Sequence, residues 1–153
     1  MKASEQHLIL VADDDADDRL LIQDAMGECH VAEHLRFVED GEQLMDYLLH
    51  RGNYADPASA PPPGLILLDL NMPRKDGHEA LREIREHSVL RRIPVVVFTT
   101  SKADSEVAAI YDLGANSFVP KPVAFDALVK IMGALSQYWF GIVELPQPGE
   151  NQS

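Results

Sequence analysis

Disulfide bonds cannot brace this chain, because it carries a single cysteine, Cys29. That thiol is expected to stay reduced and to pack as a small apolar side chain. No apolar run approaches the ~20 residues a membrane-spanning helix needs. The opening MKASEQHLILVADDD is too polar for a secretory leader, so a cytoplasmic location is expected. Basic charge is scarce: 13 Lys and Arg stand against 25 Asp and Glu, a formal net charge of −12. Such a balance argues against nucleic acid as a direct partner, since phosphate backbones are bound by basic faces. The glycine signatures of nucleotide sites, GxGxxG and the Walker lysine loop, are missing. So is a serine in a nucleophile-elbow context. His30, His34, His50, His78 and His87 lack the spacing of zinc ligands and read as surface or helix-face residues.

What the chain does have is apolar material in a regular order. Its 153 residues, 46% hydrophobic, suit one compact domain, expected over residues 1–145 with 146–153 as a frayed tail. Short runs at Leu8 to Ala12, Leu65 to Leu70, Ile93 to Phe98 and Ser117 to Val119 predict strands buried on both faces. Leu35 to Val38 carries Arg36 inside it and predicts an edge strand. Between these runs lie stripes at helical spacing, led by Leu21, Leu44, Ala80, Val107 and Phe125. A β-α unit repeated five times predicts a doubly wound α/β fold with right-handed crossovers. Gly52 to Gly64, with Pro57 and Pro61-Pro62-Pro63, reads as a loop that helices and strands do not enter.

In an open parallel sheet, ligands bind beyond the carboxyl ends of the strands. The residues at those ends therefore matter most. The first strand runs into Asp13-Asp14-Asp15 and the third into Asp69, with Asn71 and Pro73 following. The fourth runs into Thr99 and the fifth into Pro120-Lys121-Pro122. Asp15 or Asp17 can be explained as helix caps. Three successive acids exceed what a cap needs and repel one another unless a cation neutralises them. Asp69 can open an ordinary turn, but an isolated buried carboxylate is costly. Lys121 can be a loop lysine; held between prolines, it can instead supply a fixed positive charge to a phosphoryl group.

LILVADDDADDRLL, LLDLNMPRKDG, PVVVFTTS and GANSFVPKPV, in this order, resemble the bacterial two-component receiver family. The long proline-containing loop and the ending YWFGIVELP are similar to the single-domain response regulators that partner phytochrome-type histidine kinases. The resemblance implies a flavodoxin-like five-stranded parallel sheet, order 2-1-3-4-5, with five helices. It implies that Asp69 accepts a phosphoryl group from a sensor histidine kinase. It implies Mg²⁺ held by Asp13, Asp14, Asp69 and the backbone carbonyl of Asn71. It implies that Thr99 and Lys121 contact the phosphoryl oxygens, and that the Lys121–Pro122 bond is cis. Phe118 stands where the family often has Tyr, so the expected Thr99–Phe118 switch lacks a hydroxyl. The implied protein is a phosphoacceptor that signals by binding, and not an enzyme.

Two other readings are open on the residues. A Mg²⁺-dependent phosphohydrolase with an Asp nucleophile usually has a second Asp two residues on, where this chain has Asn71. A receiver-like domain that is never phosphorylated would not need Asp13, Asp14, Asp69, Thr99 and Lys121 together. Tyr138, Trp139, Phe140, Ile142, Val143 and Leu145 form an apolar end. They either pack back on the domain or make a homodimer through the fourth helix, fifth strand and fifth helix.

Overall fold

The computed structural model describes residues 8–29, 35–100 and 104–138. His30, His34, the residues from Trp139 onward, and hence the boundary expected at residue 145, lie outside the described residues. Five strands form one parallel sheet: β1 (Ile9–Ala12), β2 (Leu35–Val38), β3 (Leu65–Leu68), β4 (Val95–Thr99) and β5 (Ser117–Pro120). Their order is β2-β1-β3-β4-β5, as expected. The helices are α1 (Ala16–Glu28), α2 (Gly41–Leu49), α3 (Gly77–Glu86), α4 (Asp104–Asp112) and α5 (Phe125–Ser136).

The alternation of side chains along the strands divides the core into two layers. Leu10, Ile66, Leu68, Val95 and Val97 face α2, α3 and α4, meeting Leu44, Leu48, Leu81, Ile84 and Ile110. Ile9, Val11, Leu65, Leu67, Val96 and Phe98 face α1 and α5, meeting Ile22, Met26, Leu128 and Met132. Covering on both faces explains why the central strands read as unbroken apolar runs. Two of the residues that lead these stripes miss the core: Leu21 and Phe125 are exposed.

The Gly52 to Gly64 segment departs from the loop reading. It contains two single 3-10 turns, Gly52–Tyr54 and Pro57–Ser59. Proline is compatible with the first position of such a turn, where its missing N–H has no partner to lose. His50 ends α2 in the left-handed region (φ 56°), and its Nε2–H donates to the Ala60 carbonyl at 2.9 Å. The Tyr47 hydroxyl donates to the Pro61 carbonyl, and burial pushes its pKa up to about 12. Cys29 is a free, half-buried thiol whose Sγ donates to the Val129 carbonyl at 3.6 Å, tying the end of α1 to α5.

One contact fixes the rim of the sheet directly. A Cβ at Gly77 would lie 2.5 Å from the Asp69 carbonyl oxygen and 2.7 Å from the Leu70 Cα. The start of α3 is thus pressed against the backbone just past β3. Gly77→Ala is expected to lower stability by about 1–3 kcal/mol through overpacking. Urea unfolding followed by circular dichroism measures it.

Candidate functional site

The strand ends converge as the sequence suggested. Asp13 and Asp69 each follow their strand by one residue. The Asp69 N–H donates to the Ala12 carbonyl, which sets the two aspartates side by side. Both are buried, at 1% and 7% exposure. Asp14 is exposed. Oxygens of Asp13, Asp14 and Asp69 all lie within 4.8 Å of one another.

Each carboxylate is held by specific donors. Asp69 Oδ1 accepts from Thr99 Oγ1 at 2.9 Å and from the Asn71 N–H at 3.3 Å. Its Oδ2 accepts from Lys121 Nζ at 3.2 Å. Asp13 Oδ1 accepts from the Asp15 N–H at 2.9 Å, and Asp13 Oδ2 from Lys121 Nζ at 2.7 Å. Asp15 is the N-cap of α1, accepting from the Asp17 and Asp18 N–H groups. Thr99 is fully buried at the end of β4 and its hydroxyl is committed to Asp69.

Lys121 reaches this cluster with a trans bond to Pro122, since no cis peptide occurs among the described residues. The cis bond that the resemblance implied is not what the structure has. Trans is the cheaper isomer by about 0.5–1 kcal/mol for X–Pro. The Lys121 N–H still donates to the Thr99 carbonyl at 2.8 Å, so the loop is anchored without it. A third carboxylate on Lys121 went unnoticed in the sequence: Asp18 Oδ2 lies 2.7 Å from Nζ. Position 18 is three residues after the Asp15 cap, so it falls in the first turn of α1.

The loop carrying Asn71 is clamped from α2. Arg74 adopts φ 64° and donates to Asp40 Oδ2 through Nε at 2.8 Å and Nη2 at 2.7 Å. Asp40 is buried and also caps α2 through the Gln43 N–H. Gly41 donates to the Lys75 carbonyl at 2.8 Å, and a Cβ there would meet that oxygen at 2.1 Å.

Phe118 is half-buried and packs beside the layer that contains Val97 and Ile110. Its backbone N–H donates to Tyr111 Oη at 3.1 Å. The hydroxyl missing from position 118 thus has a counterpart on α4, bonded to backbone. His78 and His87 sit on or beside α3, where His78 approaches Glu106 and His87 Nδ1 accepts from the Val89 and Leu90 N–H groups. Neither joins the carboxylate cluster.

The electrostatics are those of crowded carboxylates around one ammonium. Burial raises the Asp13 pKa, the Lys121 and Asp15 hydrogen bonds oppose this, and the Asp69 charge adds to it. Burial by itself would lower Lys121, but hydrogen bonds to Asp13 and Asp18 outweigh it and hold the ammonium above its ordinary value. Three clustered carboxylates with hard oxygen donors can hold a divalent cation. Residue 71 follows Asp69 by two, so its carbonyl belongs to the same loop.

Residues 9–133 match the response regulator receiver domain family. The chain is 39% identical over 139 residues to the response regulator Rcp1 of Synechocystis sp., covering 91% of this chain and 92% of that protein. It is similar to the crystal structure of the phosphorylated cyanobacterial phytochrome response regulator RcpA, with TM-score 0.81, 39% identity, and 90% and 96% of the two chains covered. It is also similar to the Mn²⁺-bound form of Rcp1, with TM-score 0.78, 36% identity, and 91% and 98% covered.

The two pKa shifts have opposite consequences at neutral pH. A raised Asp13 pKa contributes stability below the ordinary carboxylate value, and this is lost as pH rises through the folded value. The ionised Asp13 therefore opposes folding near neutrality. For Lys121 the contribution is complete below its ordinary 10.5 and is lost only as pH rises through the higher folded value. Asp13→Asn is expected to raise the unfolding temperature at neutral pH in EDTA, because Lys121 keeps Asp18 and Asp69. The same variant is expected to lose most of the stabilisation that a cation at about one hundred times its Kd gives, ~2.7 kcal/mol. Thermal scans of both proteins with EDTA and with MnCl₂ measure the two effects.

Proposed function

This chain belongs to the response regulator receiver family, and on that premise we propose that it is a phosphoacceptor whose acceptor is Asp69 and whose ion is Mg²⁺. The observation that carries the reading is the surroundings of one carboxylate. Asp69 accepts hydrogen bonds from Thr99 Oγ1 and Lys121 Nζ, and its oxygens share a cluster with those of Asp13 and Asp14.

In the proposed reaction an Asp69 oxygen attacks the phosphorus of a kinase phosphohistidine. The new O–P bond forms as the P–N bond breaks, and the imidazole nitrogen leaves with the electron pair. Lys121 and Thr99, already donors to Asp69, turn their N–H and O–H toward the phosphoryl oxygens. The residues that would hold Mg²⁺ are Asp13, Asp14, Asp69 and the Asn71 carbonyl. Bound there, it would offset the negative charge of carboxylate and phosphoryl group. Asp69, buried and fixed by its neighbours, presents its nucleophilic oxygen with little freedom to reorient. Water later removes the group from the acyl phosphate, so the protein is a timed signal and not a turnover enzyme.

The relatives named as phytochrome response regulators favour a phytochrome-type sensor histidine kinase as the donor. Output is proposed to run through the face made by α4, β5 and α5. Moving Thr99 toward the phosphoryl oxygens would bias the packing of Phe118 on the neighbouring strand. A homodimer on that face is a natural way to read out such a change.

With acetyl phosphate and MgCl₂, the native chain is expected to gain one phosphate by intact mass. Asp69→Asn and the native chain in EDTA are expected to gain none; labelling of Asp69→Asn to the native extent would sink the reading. Beryllofluoride is expected to move amide shifts on α4 and β5, and an unchanged spectrum there would remove the proposed output face.

A further inference from the structure

Lys121 has three N–H bonds to give and three carboxylates that take them. Nζ lies 2.7 Å from Asp13 Oδ2, 2.7 Å from Asp18 Oδ2 and 3.2 Å from Asp69 Oδ2. The ammonium is therefore saturated at rest. A phosphoryl oxygen can bond to it only by displacing one of these partners.

The three partners differ in what their release costs. Asp13 and Asp69 belong to the carboxylate cluster and are almost fully buried, with side chains 2% and 8% exposed. Asp18 stands outside that cluster, on the first turn of α1, with its side chain 33% exposed. A half-exposed carboxylate recovers much of its hydration when it lets go, whereas a buried one does not. Asp18 also borders a groove of about 140 Å³ with Leu21, Thr100, Lys121 and Val123, so water has access to it.

We propose that Asp18 is a positioning residue: the exchangeable partner that parks the Lys121 ammonium at rest and gives it up to the phosphoryl group. The inference rests on the reading of Asp69 as phosphoacceptor and adds a competitor to it. Asp18 also has a second effect before any phosphoryl group arrives. By sharing Nζ it weakens the ammonium's hold on Asp13 and Asp69, and so frees their oxygens for a divalent cation. Removing Asp18 should then push two affinities in opposite directions.

The test uses the full chain and its Asp18→Asn variant, with Mg²⁺ and beryllofluoride as probes and nuclear magnetic resonance titration as readout. Asp18→Asn is expected to bind Mg²⁺ alone more weakly and, at saturating Mg²⁺, to bind beryllofluoride more tightly. The expected change is about fivefold, the scale of a partly exposed ion pair. Asp17→Asn takes the same charge from the same turn and has no bond to Lys121, so it is expected to shift neither affinity comparably. In a Lys121→Gln background the Asp18→Asn gain for beryllofluoride is expected to vanish. Weaker or unchanged beryllofluoride binding by Asp18→Asn overturns the inference, as does an equal effect from Asp17→Asn or a gain that survives without Lys121. If the native chain takes up no beryllofluoride, the phosphoacceptor reading falls first and the inference with it.

Discussion

One ammonium makes the rim of this sheet possible. Asp13 and Asp69 come to adjacent strand ends and are both buried, where like charges repel and lose their hydration. Lys121 crosses from the end of β5 to offset part of that charge, with Asp18 as its third partner. Burial acts to lower the lysine's pKa, and the carboxylates more than offset it. This cation is delivered from a strand two places away from β3, and it joins the Thr99, Asn71 and Asp15 donors that hold the same carboxylates.

The delivery depends on backbone contacts that are rigid for identifiable reasons. The Lys121 N–H is bonded to the Thr99 carbonyl, and prolines stand on either side of it. Gly77 lets α3 close on the Asp69 carbonyl, where a methyl group would overlap. Arg74 accepts a left-handed backbone in exchange for a two-point bond to the buried Asp40. A non-glycine residue at positive φ is uncommon, and here the compensation is visible. Asn71 therefore sits in a loop fixed by β3 and α3 on one side and by the start of α2 on the other.

Much of this was legible in the sequence. Val95, Val96 and Val97 and Leu65 to Leu68 read as doubly buried strands because apolar runs that short have few other uses. Asp13, Asp69, Thr99 and Lys121 could be singled out because strand ends in a parallel sheet share one rim. Asp18 was missed because an acid in a first helical turn is adequately explained by the helix dipole, and nothing local shows that it also faces Lys121. The Arg74–Asp40 pair joins residues 34 positions apart, beyond the reach of local pattern. Leu21 and Phe125 lie on apolar stripes yet remain exposed, since periodicity gives a helix face but not its width of contact. The 3-10 turns at Gly52 and Pro57 escaped because proline excludes long helices and not single turns.

The bond from the Phe118 N–H to Tyr111 Oη has a bearing on how two such molecules could meet. β5 is an outer strand, and its inward ladder includes the Lys121 N–H. Alternation then turns residues 118 and 120 away from β4. Position 120 is a proline with no hydrogen to offer, and the hydrogen at 118 is already taken. This margin is thus poor in free donors for strand-to-strand extension into a continuous sheet. Whatever assembles along it must grip by the shape and chemistry of side chains, which can be repacked by a signal more readily than a ladder of amides.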